Sequence, residues 1–484
     1  MAQPDAPITT IDNALGITPP TGVRPFAVVG CSSQGTTNQP ASFSRVSDLV
    51  SAFGYGPMVE DAAFAIERFG LTVTVVRSAE GGGGAGANGS VTEDNALGVT
   101  EGTSTKTASG TPFGAYEVYW IATGAGTVGT AGITFQYSLD GGRTLSGVTA
   151  LGTANSFTIP NSGVTIDFGA GTVVVGDRAQ WVTTAPEPES AQVTAALNAL
   201  FDTNINWEIA GMAFPLDGSL FDAIDAVFVG RFATNKRRAW VGNTRMQNAG
   251  ETAADYKTAL DAIFDSKATT FGMVCAGNAW MISGVEGQQF KAPWSRYQAA
   301  REASVNIEVN TANVSFVASG VSLYDDSGAL IGHDETINPG LDDSRFCVAR
   351  TWEGRQGVYT NLARLLSATG SDFRLLLFRR VLNAAADAIR GYMVTRLNRA
   401  TRVDSDTGYI FEADAKSIEL GAQRAAESVL LARPSVSSVS YVLNRTDNLL
   451  STQTLNGTAR VVPFGYPETI GTELGFENPA LQAR

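Results

Sequence analysis

The chain has 484 residues, of which 44% are hydrophobic and 17% are charged. This composition is typical of a folded protein, and the length predicts two to four domains. Its formal net charge at pH 7 is −13, which disfavours nucleic acid as a partner because phosphate binding requires a basic surface. No run of about 18 uncharged apolar residues is present, so insertion into a membrane is not expected.

The first 87 residues are predicted to form an extended arm followed by the start of an α/β body. Residues 1–24 contain four prolines and no helical periodicity, and they lack the basic and apolar segments of a secretory signal. We therefore expect synthesis in the cytoplasm without signal-dependent export. Residues 25–87 then alternate a buried strand, two helices that end at glycine (44–54 and 59–70), and a second strand (71–78).

A glycine-rich run at 81–89 follows the second strand and allows two interpretations. A phosphate-binding loop would make the chain a nucleotide enzyme, but such a loop requires a Gly-Lys-Ser/Thr motif or a helix directly after the strand. Neither is present, and the sequence after the run becomes rich in Gly, Thr and Ser with short alternating apolar segments. The run therefore predicts a flexible linker into an inserted, β-sandwich-like outer domain over 88–186.

The α/β pattern resumes over 187–344, and a separate C-terminal unit is predicted over 345–465, with an extended arm over 466–484. The predicted fold class is thus multidomain α/β (α+β), with an inserted all-β domain and two extended arms. The C-terminal unit should contain a long helix over 371–399, a second helix, and a hairpin across Asn456-Gly457. The long helix is expected to bury Phe378, Val381, Leu382, Ala385, Ile389 and Met393, and to expose Arg379, Asn383, Asp387 and Arg390.

Positive charge is concentrated in one part of the chain. Residues 345–402 contain eleven arginines, no lysine and three acidic residues, a net charge of +8 within a chain of net charge −13. Arginine without lysine suits bidentate pairing with carboxylates and indicates an interface with an acidic partner. A solvated helix face and a nucleic-acid surface are the alternatives, and the second is disfavoured because no exposed aromatic residues are interleaved with the arginines.

The sequence offers no convincing catalytic or cofactor site. Its one histidine, His333, would need a serine such as Ser344 beside it to form a hydrolase triad, and a metal site there would have only carboxylates to complete it. An ordinary surface position is the simpler interpretation. We therefore predict that the chain is not an enzyme and that it binds neither a cofactor nor a metal.

Several segments near the two ends of the sequence are similar to those of one known family. They are "GVRPFAVVGCSSQGTTNQPASFSRVSDLVSAFGYG" and "DAAFAIERFGLTVTVVR" near the start, and "TWEGRQGVYTNLARLL", "SDFRLLLFRRV" and "VVPFGYPETIGTELGF" near the end. In order and spacing these segments resemble contractile tail sheath proteins of Mu-like phages. The inserted β domain corresponds to the variable part of such proteins.

The resemblance implies a structural subunit that polymerises as stacked hexameric rings around an inner tail tube, with baseplate and tail terminator proteins as further partners. Neighbouring subunits would exchange their arms by strand addition, and contraction would drive the tube through the host cell envelope for genome delivery. Such a protein is made in the bacterial cytoplasm and resides in the virion tail. The candidates to face the tube are Arg374, Arg379, Arg380, Arg390, Arg396 and Arg399.

Two alternatives remain open at this point. The protein could belong to a related injection machine, or it could be a binding module whose β domain recognises a receptor or glycan. The three cysteines also allow two interpretations. Cys31, Cys275 and Cys347 could be buried thiols, or they could form intersubunit disulfides in an oxidising medium, with Cys31 expected to be the most exposed because it lies at a turn.

Overall fold

The computed structural model of the chain describes residues 26–248, 250–323, 340–431, 435–468 and 470–472. The predicted N-terminal arm and most of the predicted C-terminal arm therefore lie outside the described residues. Residue contacts divide the chain into two units, Met1–Asn383 and Ala384–Arg484.

The first unit contains an α/β body interrupted by a set of short strands. The body begins with β1 (Phe26–Gly30), β2 (Ala41–Phe43), α1 (Val46–Phe53), α2 (Pro57–Phe69) and β3 (Val73–Arg77). The insertion contains β4 (Ala87–Asn88), β5 (Thr92–Asn95), β6 (Lys106–Ser109), β7 (Glu117–Gly124), β8 (Gly126–Thr127), β9 (Thr134–Ser138), β10 (Thr149–Ala150), β11 (Ser156–Thr158), β12 (Thr165–Phe168), β13 (Thr172–Val173) and β14 (Asp177–Thr184).

The body then resumes with a second series of helices and strands. They are α3 (Ser190–Phe201), β15 (Ile209–Leu216), α4 (Gly218–Ala233), β16 (Ala239–Thr244), α5 (Ala253–Phe264), β17 (Gly272–Cys275), β18 (Asn278–Ile282), β19 (Gln289–Pro293), α6 (Trp294–Ser304), β20 (Val321–Ser322), β21 (Ala349–Trp352) and β22 (Arg355–Thr360). Helix α7 (Leu376–Val394) begins in the first unit and ends in the second.

A six-stranded sheet in the order β17-β16-β15-β1-β3-β2 forms the centre of the body. Its neighbouring strands are parallel, except for the antiparallel pair of β2 and β3. All five residues of β1 are buried, as expected for a parallel strand covered on both faces. Phe26 and Val28 pack into one apolar cluster, and Ala27 and Val29 pack into another on the opposite face.

Helices cover both faces of this sheet. Residues of α1, α2 and α6 belong to the cluster that contains Phe26, and residues of α3, α4 and α5 belong to the cluster that contains Ala27. As predicted, α2 ends at a glycine. Gly70 adopts a left-handed conformation with φ of 63°, and its N–H donates to the carbonyls of Ala65 and Ile66. The predicted α/β fold class is therefore confirmed for the body.

The insertion is all-β, as predicted, and its own residues form nearly all of its apolar core. Its largest sheet has the order β10-β9-β7-β14-β4, and its strand pairs are antiparallel. Aromatic rings fill the core, with the ring centroid of Trp120 5.8 Å from that of Phe135 and 5.3 Å from that of Phe168. The aromatic residues of the alternating segments thus form the inner face of the domain.

The glycine run is hydrogen-bonded to the second connection of the insertion, so the prediction of a flexible linker is not met in this structure. The N–H of Gly81 donates to the carbonyl of Glu187 at 3.0 Å, and the N–H of Glu187 donates to the carbonyl of Gly84 at 2.7 Å. The N–H of Gly82 donates to the Glu189 carboxylate at 2.9 Å. A Cβ atom on Gly84 would lie 2.0 Å from the Glu187 carbonyl oxygen, so this close approach requires glycine.

The insertion also packs directly against the body. The rings of Tyr55 and Phe113 stack with their centroids 6.4 Å apart and an interplanar angle of 8°. The Arg143 guanidinium lies 3.6 Å from the ring centroid of Trp280, and Phe290 of β19 belongs to the apolar core of the insertion. The insertion is therefore docked on the α1 and β18–β19 regions, and these contacts oppose hinge motion.

The described part of the second unit contains the end of α7 followed by α8 (Glu412–Leu430), β23 (Val436–Leu443), α9 (Leu449–Thr452) and β24 (Gly457–Pro463). β23 and β24 pair antiparallel, with Leu443 opposite Gly457. Residues 444–456, including α9, connect them. Asn456 and Gly457 therefore stand at the start of β24, and the prediction that they form the hairpin turn is wrong.

The structure places residues 345–383 with the body, whereas the sequence suggested that a separate unit begins at 345. Cys347, Val358 and Leu365 belong to the same apolar cluster as Phe26, so this segment is packed onto the central sheet. The predicted faces of the long helix are also wrong at its start. Leu382 is exposed, whereas Arg379 and Asn383 are buried.

Candidate functional site

The six arginines predicted to face an inner tube do not share one environment. Arg379 and Arg380, in the first unit, are 3% and 1% exposed. Arg374 is exposed in the same unit, and Arg390 and Arg399 are exposed in the second unit. Arg396 is half-buried and donates from Nε to the Tyr392 hydroxyl at 2.9 Å. The tube-facing assignment of Arg379 and Arg380 is therefore corrected, because both side chains are occupied inside the body.

Arg380 is the centre of a buried ion network. Its Nε donates to Glu208 Oε1 at 3.0 Å, and its Nη2 donates to the carbonyl of Val305 at 3.1 Å. On its other side, Nη1 lies 3.6 Å from Glu302 Oε2. All three side chains are almost fully buried, so one arginine lies between two acidic side chains away from water.

Glu302 receives further support from polar side chains. Its Oε1 accepts hydrogen bonds from Gln298 Nε2 at 2.9 Å and from the Thr311 hydroxyl. Burial raises the pKa of Glu302, against the opposing attraction of Arg380. This network joins Glu208, which directly precedes β15, to α6 and to the start of α7, and it explains why a polar face of α7 points inwards.

Arg379 is held by aromatic rings instead of carboxylates. Its Nε and Nη2 donate to the carbonyl and hydroxyl of Thr270, both at 2.8 Å. The guanidinium lies 4.2 Å from the ring centroid of Phe271 and 4.4 Å from that of Phe373. Burial, with a contribution from Arg237, lowers the pKa of Arg379 to about 10. Its role is to pack the start of α7 onto the body.

The second unit presents a mixed basic and apolar surface. Arg390, Arg396 and Arg399 lie along the end of α7 and the turn that follows it. Val394 and Leu397 lie between them in sequence and are 51% and 68% exposed. Arginine beside exposed apolar side chains is the composition of a protein-binding surface.

The sheet of β23 and β24 has two strands, and β24 forms one of its edges. The N–H of Asn444 donates to the carbonyl of Asn456 at 2.7 Å. Because inward and outward backbone groups alternate along an antiparallel pair, Thr458 and Arg460 bond to β23, and the N–H groups of Ala459 and Val461 point away from it. Within the described part of the chain no further strand pairs with β24, and six of its seven residues are exposed.

At the β23 edge, one backbone N–H is hydrogen-bonded to a side chain. The N–H of Leu443 in β23 donates to Glu419 Oε1 at 2.7 Å. Arg445 holds that carboxylate in place, with Nη1 2.7 Å from Oε1 and Nη2 2.9 Å from Oε2. The β23 edge is thus capped at Leu443, and the β24 edge is available for the addition of another strand.

The three cysteines are all buried and free. Cys31 is 1% exposed, its thiol faces the carbonyl of Ala79 at 3.9 Å, and burial raises its pKa to about 12. The expectation that Cys31 is exposed and available to a neighbouring subunit is therefore corrected. Cys275 and Cys347 are also fully buried, so crosslinks between subunits would require the chain to open.

No catalytic constellation is assigned. His333 lies outside the described residues. Over the residues that the structure does describe, no group of three or more His, Cys, Asp or Glu side chains is arranged to hold a metal ion. The helices in those same ranges include none with the length and apolar character needed to cross a membrane.

The buried ion network was not predicted from the sequence, although the sequence contains a signal for it. Glu208 in "NWEIAG" and Glu302 in "AAREAS" are acids among apolar or small residues, which indicates a buried charge that needs a partner. The strands of the C-terminal unit were expected to be able to leave an open edge, but which edge it would be was not predicted, because strand pairing is not encoded within one segment.

Comparison with known proteins gives one family match and several similar structures. The family described as "DUF2586, N-terminal domain" matches residues 3–364. The sheath tail protein of Listeria innocua is similar at 13% identity, over 91% of this chain and 95% of that chain, with a TM-score of 0.44. The sheath tail protein of Desulfitobacterium hafniense is similar at 11% identity, over 95% and 100% of the two chains, with a TM-score of 0.45.

A third similar chain comes from the anti-feeding prophage baseplate in its contracted state, at 10% identity over 99% of this chain and 100% of that one, with a TM-score of 0.48. A search of curated proteins gives no significant match. Sheath proteins are thus among the structures to which the chain is similar, and its assignment to Mu-like phages stays a prediction.

Proposed function

This chain belongs to the DUF2586 family, and we propose that it is a structural subunit of a contractile tail sheath. The observation that carries the proposal is the open edge of β24 in the second unit, where the N–H groups of Ala459 and Val461 point away from β23 and can pair with a further strand. A strand from another copy of the chain would satisfy them through backbone hydrogen bonds. Strand addition of this kind joins subunits into a polymer.

The strands that add to β24 would come from the terminal arms of neighbouring copies, residues 1–24 or 466–484. Backbone pairing does not depend on one rigid contact surface, so subunits linked in this way could rotate and slide while they stay joined. The polymer we propose consists of stacked hexameric rings around an inner tube. Its contraction would drive the tube through a cell envelope, with baseplate and terminator proteins at its two ends.

Electron microscopy of the purified protein tests the proposal. We expect long tubular polymers, alone or after addition of the cognate tube protein. Discrete particles under all conditions, together with specific capture of a receptor or glycan by the inserted β domain, would favour the binding-module alternative and would contradict a sheath. Removal of residues 1–24 or of residues 466–484 is a second test: each variant should remain folded but should not form tubes, and normal tubes from both would contradict strand exchange.

The surface of the second unit that carries Arg390, Arg396 and Arg399 is the part we propose to face the inner tube, which would then be acidic on its outside. Arg390→Glu combined with Arg399→Glu should weaken coating of preformed tubes, because both side chains are exposed and would place like charges at the interface. The loss should be largest at low salt and should shrink as salt screens the charges. Sedimentation of tubes with bound sheath protein measures it.

Arg45→Glu is the control for this charge reversal, because Arg45 is exposed in the first unit and is not among the candidates. It changes net charge without touching the proposed surface. Equal coating by the double variant and by the wild type at low salt would overturn the assignment of this surface to the tube.

A further inference from the structure

Cys275 and Cys347 lie opposite each other at the edge of the central sheet. They form a parallel β-bridge, with the N–H of Cys347 donating to the carbonyl of Val274 at 2.9 Å and the N–H of Ala276 donating to the carbonyl of Cys347 at 3.0 Å. Cys275 is the last residue of β17, which is an outer strand of the six-stranded sheet. The segment around Cys347 thus lies along that outer strand.

Both cysteine side chains lie on the same face of the sheet. They belong to the apolar cluster that contains Phe26, whereas their neighbours Val274, Ala276 and Val348 belong to the cluster on the opposite face. Adjacent strands are about 4.8 Å apart. That separation lies within the range of about 4.4–6.8 Å between Cα atoms that a disulfide requires. The two thiols can therefore form a disulfide bond without a large movement of the backbone.

From this geometry we propose that Cys275 and Cys347 form an intrachain disulfide when the protein meets an oxidising thiol–disulfide couple. One thiolate attacks a small-molecule disulfide such as oxidised glutathione, and one small thiol leaves. The second protein thiolate then attacks the mixed disulfide, and the second small thiol leaves. Two protein thiols are oxidised and one small disulfide is reduced to two thiols, with two protons transferred from the cysteines to the leaving thiolates.

The crosslink would join residue 347 covalently to the outer strand of the sheet. It would close a loop on the order of 70 residues, which restricts the unfolded chain more than the folded one. Because both thiols are buried, reaction requires local opening or takes place during folding. Cys31 has a different environment, since its thiol faces the carbonyl of Ala79, and it should remain free. The inference concerns the single chain and does not depend on sheath assembly.

Refolding in a glutathione redox buffer removes the problem of access and tests the proposal. After alkylation of free thiols under denaturing conditions, peptide mass spectrometry should find the Cys275–Cys347 crosslink and one free thiol, at Cys31. The melting temperature should rise on the order of 5 °C relative to the reduced protein. Cys31→Ala should keep both results, whereas Cys275→Ala and Cys347→Ala should lose both.

Three free thiols after oxidative refolding, or a crosslink that includes Cys31, would overturn the proposal. Mapping of the wild-type protein decides the question by itself, so the result stands even where an alanine variant folds poorly. A chain that carries the crosslink without any rise in melting temperature would support the pairing and would overturn its stabilising role.

Discussion

Ala459→Pro is expected to abolish polymerisation while leaving the subunit folded. The N–H of Ala459 points away from β23, so proline removes no hydrogen bond of the β23–β24 pair. Proline does remove the backbone N–H that would donate to an added strand, and its ring occupies the space that the added strand would fill. Each 1.4 kcal/mol lost per contact raises the concentration needed for assembly about tenfold, so polymer should disappear at concentrations where the wild type forms tubes.

Two control variants distinguish loss of the open edge from loss of the fold. Ala459→Val keeps the N–H and should polymerise like the wild type. Arg460→Pro removes an N–H that bonds to β23, so it should destabilise the second unit as well as assembly. Circular dichroism and electron microscopy report the two properties separately. Normal tubes from Ala459→Pro would rule out strand addition at β24 as the basis of assembly.

Arg380→Met is expected to cost about 3–5 kcal/mol in the free energy of unfolding, because it leaves the carboxylates of Glu208 and Glu302 buried without their counter-charge. Arg390→Met is the matched control, since it lies on the same helix and is exposed. The free energy of unfolding of Arg390→Met should lie within about 0.5 kcal/mol of that of the wild type. Urea unfolding monitored by tryptophan fluorescence measures both. A cost below about 1 kcal/mol for Arg380→Met would contradict the network.

The deficit of Arg380→Met should depend on pH in a defined direction. Burial already raises the pKa of Glu302, and removal of Arg380 removes the attraction that opposes this shift. An acid with a raised pKa in the folded state binds more protons there than in the unfolded state, so stability rises as pH falls towards the unfolded value of about 4.3. The difference between variant and wild type should therefore shrink between pH 8 and pH 5. Adding Glu302→Gln should remove part of this pH dependence.

Local sequence patterns predict some elements of this fold correctly and others wrongly. The buried strand β1, the glycine stop of α2 and the all-β insertion were predictable, because local conformation and alternation of apolar residues determine each of them. The buried face at the start of α7 was not predictable, because the sequence pattern placed Arg379 and Asn383 in solvent, whereas both are buried. Burial of such polar groups depends on partners that are distant in the sequence.

The sequence by itself determined the element types, the inserted domain and the position of the basic segment. Only the tertiary structure decided which arginines are available. Arg380 meets Glu208 and Glu302 through contacts that span more than one element, and no local pattern encodes that meeting. The same holds for the edge of β24 and for the opposition of Cys275 and Cys347. The physical reason is that local propensity acts over a few residues, whereas pairing of charges, strands and thiols depends on how the whole chain packs.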